Sequence, residues 1–227
     1  MEYNDEMAKL KLISSHDEIG NIRTFVFETG GLKWIAGQSQ AYILSISSGE
    51  DQRYFTISSA PVEGTINIST RLSGSEFKEE LKKLKPGDSI NTFDLGGEFV
   101  WEEDPSDPVV LVAGGIGVTP FRSILIQRHK TGKKIPATLL YFNRTDEIPF
   151  EKEIKEIKNA HPEFDVKIII GESITADKIM ELAPQAVKQV LYLSGPKPMV
   201  VSIGQELSNR GVNVKQDRFP GYDEKNY

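Results

Sequence analysis

VVLVAGGIGVTPFRSILI, residues 109–126, runs from an apolar stretch through a glycine turn into a helical pattern. Val109–Val112 are apolar and mostly branched, without alternation, which suits a strand buried on both faces as in a parallel sheet. Ala113 and the glycines Gly114, Gly115 and Gly117 follow, and Thr119 and Pro120 stand where the helix should begin. Proline fits a first helical turn because its missing N–H would have no partner there, and Thr119 is the expected N-cap. Strand, glycine turn and helix N-terminus together face backbone N–H groups and the helix dipole toward a phosphate. The spacing is not GxGxxG, so the usual dinucleotide fingerprint is absent. On these residues alone two readings stand: a phosphate-holding loop, or a tight turn and nothing more.

Downstream, strands and helices alternate. Ala137–Phe142, Asp165–Ile170, Gln189–Leu193 and Val212–Phe219 read as strands. Phe150–Ala160, Thr175–Leu182 and Met199–Arg210 read as helices, with Gly211 a C-cap. This order predicts right-handed crossovers and a parallel sheet of about five strands. Ligands of such sheets bind at the carboxyl ends of the strands, here Gly114–Thr119, Asn143-Arg144, Gly171-Glu172 and Ser194–Pro196.

Upstream, the pattern is different. Met7–Ser15, Ile22–Thr29, Ala41–Ile46, Arg53–Ser59, Ile66–Leu72 and Ser89–Leu95 read as short strands, with a polar turn at Gly49–Gln52. One helix, Glu76–Leu84, interrupts them, with Ser75 as its cap and Lys85-Pro86-Gly87-Asp88 as its stop. Short strands at close intervals predict an antiparallel β-barrel or sandwich, of which the barrel is the expected form. Trp101–Pro108 (WEEDPSDP) reads as a linker, dividing the chain into domains 1–104 and 105–227.

Composition narrows the function classes. At 227 residues the chain has room for two cores, and 38% hydrophobic and 26% charged residues describe an ordinary globular protein. A formal charge of −6 and the lack of a basic run speak against a nucleic-acid or anionic-membrane partner. No apolar stretch has membrane-spanning length and Met1–Leu12 is too charged for a signal peptide, so a cytoplasmic protein without membrane insertion is expected. The absence of cysteine removes disulfides, a thiolate nucleophile and cysteine-held metal clusters. His16, His129 and His161 lie far apart in sequence and read as surface residues; no metal site is expected.

Several segments, in order and over nearly the whole chain, resemble the ferredoxin–NADP reductase superfamily of two-domain flavoprotein reductases. Arg53-Tyr54-Phe55-Thr56 resembles its Arg-x-(Tyr/Phe)-(Ser/Thr) segment, Gly37-Gln38 its Gly-Gln turn, and Thr70, Arg71, Ser75, Phe77 and Lys78 its second flavin segment. Ala113–Pro120 (AGGIGVTP) resembles its pyridine-dinucleotide loop, which favours the phosphate-holding reading of the glycine turn. Ser194-Gly195-Pro196 with Met199 resembles a Cys-Gly-Pro-x-x-Met segment beside the nicotinamide, and Asp217-Arg218-Phe219 an acidic-x-aromatic segment in which glutamate is usual.

The resemblance implies FAD as cofactor and NAD(P)H as co-substrate, with hydride passing from nicotinamide C4 to flavin N5. It assigns Arg53 to the flavin pyrophosphate, Phe55 to the isoalloxazine, and Thr56 to the N5 region. Thr56, Ser194 and Asp217 become the orienting groups of the reacting pair. Alternation puts Arg53 and Phe55 on one face and Thr56 on the other, so a bend in the strand or a backbone contact is required. Arg144 is open between an adenosine 2′-phosphate and solvent. Tyr222 or Tyr227 is expected to stack on the flavin. Electrons would leave to a protein or small-molecule acceptor from a stand-alone chain, monomeric or within an electron-transfer complex. The alternatives are an electron-transfer subunit, or a flavin reductase whose flavin is substrate. Relatives serving dihydroorotate dehydrogenase carry a C-terminal cysteine cluster that this chain lacks.

Overall fold

A computed structural model describes residues 7–72, 74–101 and 108–217. The first half is an antiparallel six-stranded curled sheet, the barrel of the sequence reading. Its strands are β1 (Ala8–Ile19), β2 (Ile22–Phe27), β3 (Ser39–Ile46), β4 (Gly49–Thr56), β5 (Ile66–Arg71) and β6 (Ser89–Gly96), in the order β4-β3-β6-β1-β2-β5. Leu10, Phe25, Phe27, Tyr42, Ile57 and Ile68 fill its interior. Helix α1 (Glu76–Lys83) precedes β6 and adds Phe77 and Leu81 to that core. Ser75 caps it by accepting from Lys78 N, and acidic residues in its first turn suit the dipole.

Three boundaries differ from the sequence reading. Gly49–Gln52 is not a turn: Ile46 pairs with Gly49, so only Ser47 and Ser48 turn the hairpin, with Ser47 N bonded to Glu76 Oε1 at 2.6 Å. β4 stops at Thr56 because Ile57 N leaves the ladder for Gln38 O. β1 runs on to Ile19, its polar Ser14–Asp17 kept in register by backbone bonding to β2. At Gly37 a turn was expected, and the fold needs glycine there. Its φ is +99°, and a Cβ would sit 2.2 Å from Phe99 O.

The second half is a parallel five-stranded sheet covered by helices on both faces. Its strands are β7 (Val109–Gly114), β8 (Ala137–Asn143), β9 (Phe164–Ile170), β10 (Val190–Ser194) and β11 (Asn213–Gln216), ordered β11-β10-β7-β8-β9. The helices are α2 (Thr119–Lys130), α3 (Glu151–Ala160), α4 (Ala176–Leu182) and α5 (Lys197–Asn209). The unbroken apolar run of β7 is explained by two cores. Val109, Leu111 and Ala113 pack among residues of α2 and α3, whereas Val110 and Val112 pack among those of α4 and α5. Strand order reverses between β7 and β10, so the crevice for a ligand opens at their carboxyl ends.

The two halves share one core. Ala36, Ala60, Phe99 and Trp101 from the first join Phe121, Ile124, Leu125 and Tyr192 of the second. Trp101 therefore belongs to the core and not to a linker; Arg128 lies 4.3 Å from its ring centroid. The expected boundary at 104/105 falls among residues outside those described.

Candidate functional site

Two half-sites face each other where the halves meet. On the first, β4 ends at Thr56 with its side chains alternating. Arg53 and Phe55 share one face: the Arg53 guanidinium is 5.9 Å from the Phe77 ring centroid, and the Phe55 ring 6.0 Å from Phe77 and 5.8 Å from Tyr42. Tyr54 turns the other way. Its hydroxyl donates to the Asp94 carboxylate, whose residue has φ +54°, so Tyr54 is not brought together with Arg53 and Phe55.

Arg53 is partly neutralised by Asp51 at 2.5 Å, and its buried Nε has no hydrogen-bond partner among the described residues. Burial pushes the Lys78 ammonium below its ordinary value, and repulsion from Arg53 and Arg71 pushes it further. Three cations thus converge beside an aromatic face and the N-terminus of α1. Arg71 also donates to Asn21 Oδ1 at 2.6 Å, Thr70 is buried on β5, and the Ser75 hydroxyl is occupied as the helix cap. A diphosphate joined to a planar ring matches this donor set.

On the second half-site the floor is backbone. Gly117 touches Gly195 so closely that a Cβ would lie 2.5 Å from Gly195 Cα, and a Cβ on Gly114 would meet Ile174, Met199 and Pro196 at 3.1–3.4 Å. Thr119 is not the N-cap. A 3₁₀ turn over Gly115–Val118 brings Thr119 into helical geometry, with its hydroxyl bonded to Ile116 O, and Val118 takes the cap position. Pro120 does lie in the first turn. Asn143, at the end of β8, is buried with Nδ2 unpartnered among the described residues, its carbonyl accepting from Gly171 N at 2.9 Å. An anionic dinucleotide fits this glycine floor and orphan donor. Arg144 beside it is exposed.

Asp217 joins the half-sites. Its N–H donates to Leu193 O at 3.0 Å, while Oδ2 accepts from Ser194 Oγ at 2.8 Å and, across the crevice, from Thr56 Oγ1 at 3.4 Å. Burial pushes the carboxyl up to about 6, against the pull of those two hydroxyls. Thr56 is the last residue of β4, and its hydroxyl points to Asp217 of the second half. Phe219, Tyr222 and Tyr227 lie outside the described residues.

Sequence reasoning missed Asp51, Asp94 and Tyr42, which have no motif and are brought in by strand register. It also took His129 and His161 for surface residues. They are partly buried and hydrogen-bonded to each other at 3.0 Å, at the end of α2 and just after α3. Among the described residues no three His, Cys, Asp or Glu side chains are grouped to hold a metal, and no helix is long and apolar enough to cross a membrane.

Comparison with known proteins matches residues 111–204 to the oxidoreductase NAD-binding domain. The flavohemoprotein of Candida albicans is 29% identical over 194 residues, covering 77% of this chain and 48% of that protein. The electron transfer subunit of dihydroorotate dehydrogenase B (NAD⁺) from Geobacillus kaustophilus is 32% identical over 145 residues, covering 62% and 54%. The chain thus spans about half the length of these curated relatives. Among solved structures, the flavohem-like FAD/NAD-binding domain of nitric oxide dioxygenase from Vibrio cholerae superposes with a TM-score of 0.75 at 20% identity, covering 96% of this chain and 99% of that one.

Proposed function

We propose that the chain is an FAD-dependent reductase of the ferredoxin–NADP reductase superfamily, a reading supported by the oxidoreductase NAD-binding domain matched over residues 111–204 and by the fold shared with the flavohem-like FAD/NAD-binding domain. It would draw electrons from NAD(P)H and pass them to a protein or small-molecule acceptor. The observation that carries this reading is the Asp217 carboxylate, which bonds Ser194 of the nucleotide half and Thr56 of the barrel half at one oxygen. FAD, when bound, supplies a carrier that takes up a hydride and releases electrons singly or in pairs.

The chain's own residues position and tune. Arg53, Lys78 and the N-terminus of α1 hold the flavin diphosphate, and Phe55, backed by Tyr42 and Phe77, presents the aromatic wall for the ring. Gly114–Thr119 and Gly195-Pro196 bring backbone to the nucleotide pyrophosphate, with Asn143 Nδ2 as a side-chain donor and Met199 closing the floor. Thr56 and Ser194 offer hydroxyls where the two ligands meet, and Asp217 orients both hydroxyls through Oδ2 while its raised affinity keeps a proton available there at mildly acidic pH. Residues 1–104 form the flavin-binding unit and 105–227 the nucleotide-binding unit.

A second reading is favoured by the kinship with an electron transfer subunit: the chain serves a partner that carries the terminal chemistry. Anaerobic single-turnover mixing with NADH and with NADPH separates these. A yellow protein bleached by either nucleotide, with turnover on soluble acceptors, supports the reductase. Bleaching with negligible turnover supports the subunit. A colourless protein that reduces added flavin makes flavin a substrate, and no bleaching or flavin reduction with either nucleotide sinks the proposal.

A further inference from the structure

Arg122 lies four residues into α2, on the helix that starts at the glycine floor, and is only 8% exposed. A guanidinium has five N–H donors in a planar fork, and here every one has a partner. Nε and Nη2 donate to the two oxygens of Glu153 on α3, at 2.8 and 2.7 Å. Nη1 and Nη2 donate to the two oxygens of Glu63 in the barrel half, at 3.0 and 3.2 Å, and Nη1 also donates to Ser58 O at 2.8 Å. The Phe150 ring lies 5.1 Å from the guanidinium carbon. Burial works against the charge, but the bonds to Glu153 and Glu63 outweigh it and hold the group above its ordinary value.

Two more residues of α2 bind the same barrel segment. Ser123 Oγ donates to Ser59 O at 2.7 Å, and Gln127 Oε1 accepts from Val62 N at 2.9 Å. The segment so gripped, Ser58–Glu63, begins two residues after Thr56. Gly114–Val118, which leads directly into the N-terminus of α2 one turn before Arg122, rests on Ser194-Gly195. One rigid helix therefore ties the barrel residue nearest Asp217 to the floor of the nucleotide half.

We infer that Arg122 is a positioning residue that sets the register between the two halves, and through it the approach of Thr56 to Asp217 and Ser194. Its two carboxylate partners divide the task. Glu63 reaches across to the barrel, whereas Glu153 braces the guanidinium from inside its own half. The catalytic consequence rests on the reductase reading above; the geometric one does not. A displacement of about 1 Å at a reacting pair can cost as much as a hundredfold in rate, so a loosened register should be visible in turnover.

The test compares Glu63→Gln with Glu153→Gln, which remove the same charge from the same ion network on opposite sides of the joint. The chain has no cysteine, so Ser48→Cys and Lys188→Cys accept a pair of spin labels, one on each half, without background labelling. Glu63→Gln is expected to broaden the interlabel distance distribution and to lower the rate of nucleotide-driven flavin reduction about tenfold, with nucleotide KM changed less than twofold. Glu153→Gln is expected to leave the distribution narrow and the rate within about twofold, with a similar fall in melting temperature. Arg122→Lys, which keeps the charge but loses the fork, should behave as Glu63→Gln if it folds. A narrow distribution in Glu63→Gln, or equal broadening in both Glu variants, overturns the inference. So does a broadened distribution with an unchanged rate. If the protein catalyses no flavin reduction at all, the distance measurement still decides the role of Arg122.

Discussion

The two half-sites are built by opposite means. The barrel end gathers Arg53, Arg71 and Lys78, cations that repel one another and leave a buried Arg53 Nε unpartnered. The sheet end offers glycine backbone against glycine backbone, and its nearby arginine, Arg144, stays in solvent. A buried Lys78 facing two further cations, of which only Arg53 has a carboxylate partner among the described residues, in Asp51, is costly without an added anion, which suits the barrel end to a ligand that remains. Neutral backbone donors carry no such cost when empty, and the sheet end suits a ligand that comes and goes. A resident flavin and an exchanging nucleotide would be served by this division.

Each half can be broken without the other. Gly117→Ala drives a methyl into the Gly195 backbone, which cannot step aside. Nucleotide binding, followed by titration calorimetry, should fall by more than about a hundredfold while flavin content stays at its wild-type level; intact nucleotide affinity would contradict the description of the floor. Arg53→Gln should do the converse. A loss of about 3 kcal/mol in flavin affinity is expected from removing one partner of a buried charged contact, read by flavin fluorescence, with nucleotide affinity unaltered.

At the junction, Asp217 ties stability to pH. Its carboxyl is raised to about 6 in the fold from an ordinary 3.8, so the folded state binds the proton more tightly than the unfolded chain. This contribution is complete below about pH 4 and is lost as pH rises through 6. Urea unfolding of wild type and Asp217→Asn between pH 4 and 7.5 should show wild type losing on the order of 2 kcal/mol relative to the variant as pH rises. A pH-independent difference would remove the buried carboxyl from this account. The smallest effect sharpens the contrast itself. Raising salt from about 0.05 to 0.5 M should weaken flavin binding several-fold and nucleotide binding less, because screening acts on the cations of the barrel.

Much of this was legible in the sequence, for identifiable reasons. Parallel strands buried on both faces carry unbroken apolar runs, so β7, β8 and β10 announced themselves. The first half of β4 did not, because Glu50, Asp51 and Gln52 are polar residues of an edge strand and imitate a turn. Thr119-Pro120 has the form of a cap, but the 3₁₀ turn before it starts the helical geometry early. Thr56, Ser194 and Asp217, which the fold brings into hydrogen-bond contact, were all named from motif resemblance, whereas Tyr54 was grouped with residues from which the strand turns it away. Arg122 had no local sign at all: its partners lie 59 and 31 positions distant, and only the packed fold places them together.

The contact between Gly117 and Gly195 has a consequence for how this cleft can change. A floor made of two touching backbones offers mutation no half-measure, since even the smallest side chain at Gly117 inserts a carbon where none fits. The rim differs: Arg144 and Glu172 are exposed at the ends of neighbouring strands and can be exchanged one at a time. Under the reductase reading, any retuning of dinucleotide preference would therefore be written on the rim, in charge and size, over a floor that stays as it is. An engineer seeking new cofactor specificity should randomise those loop positions and leave the glycines alone.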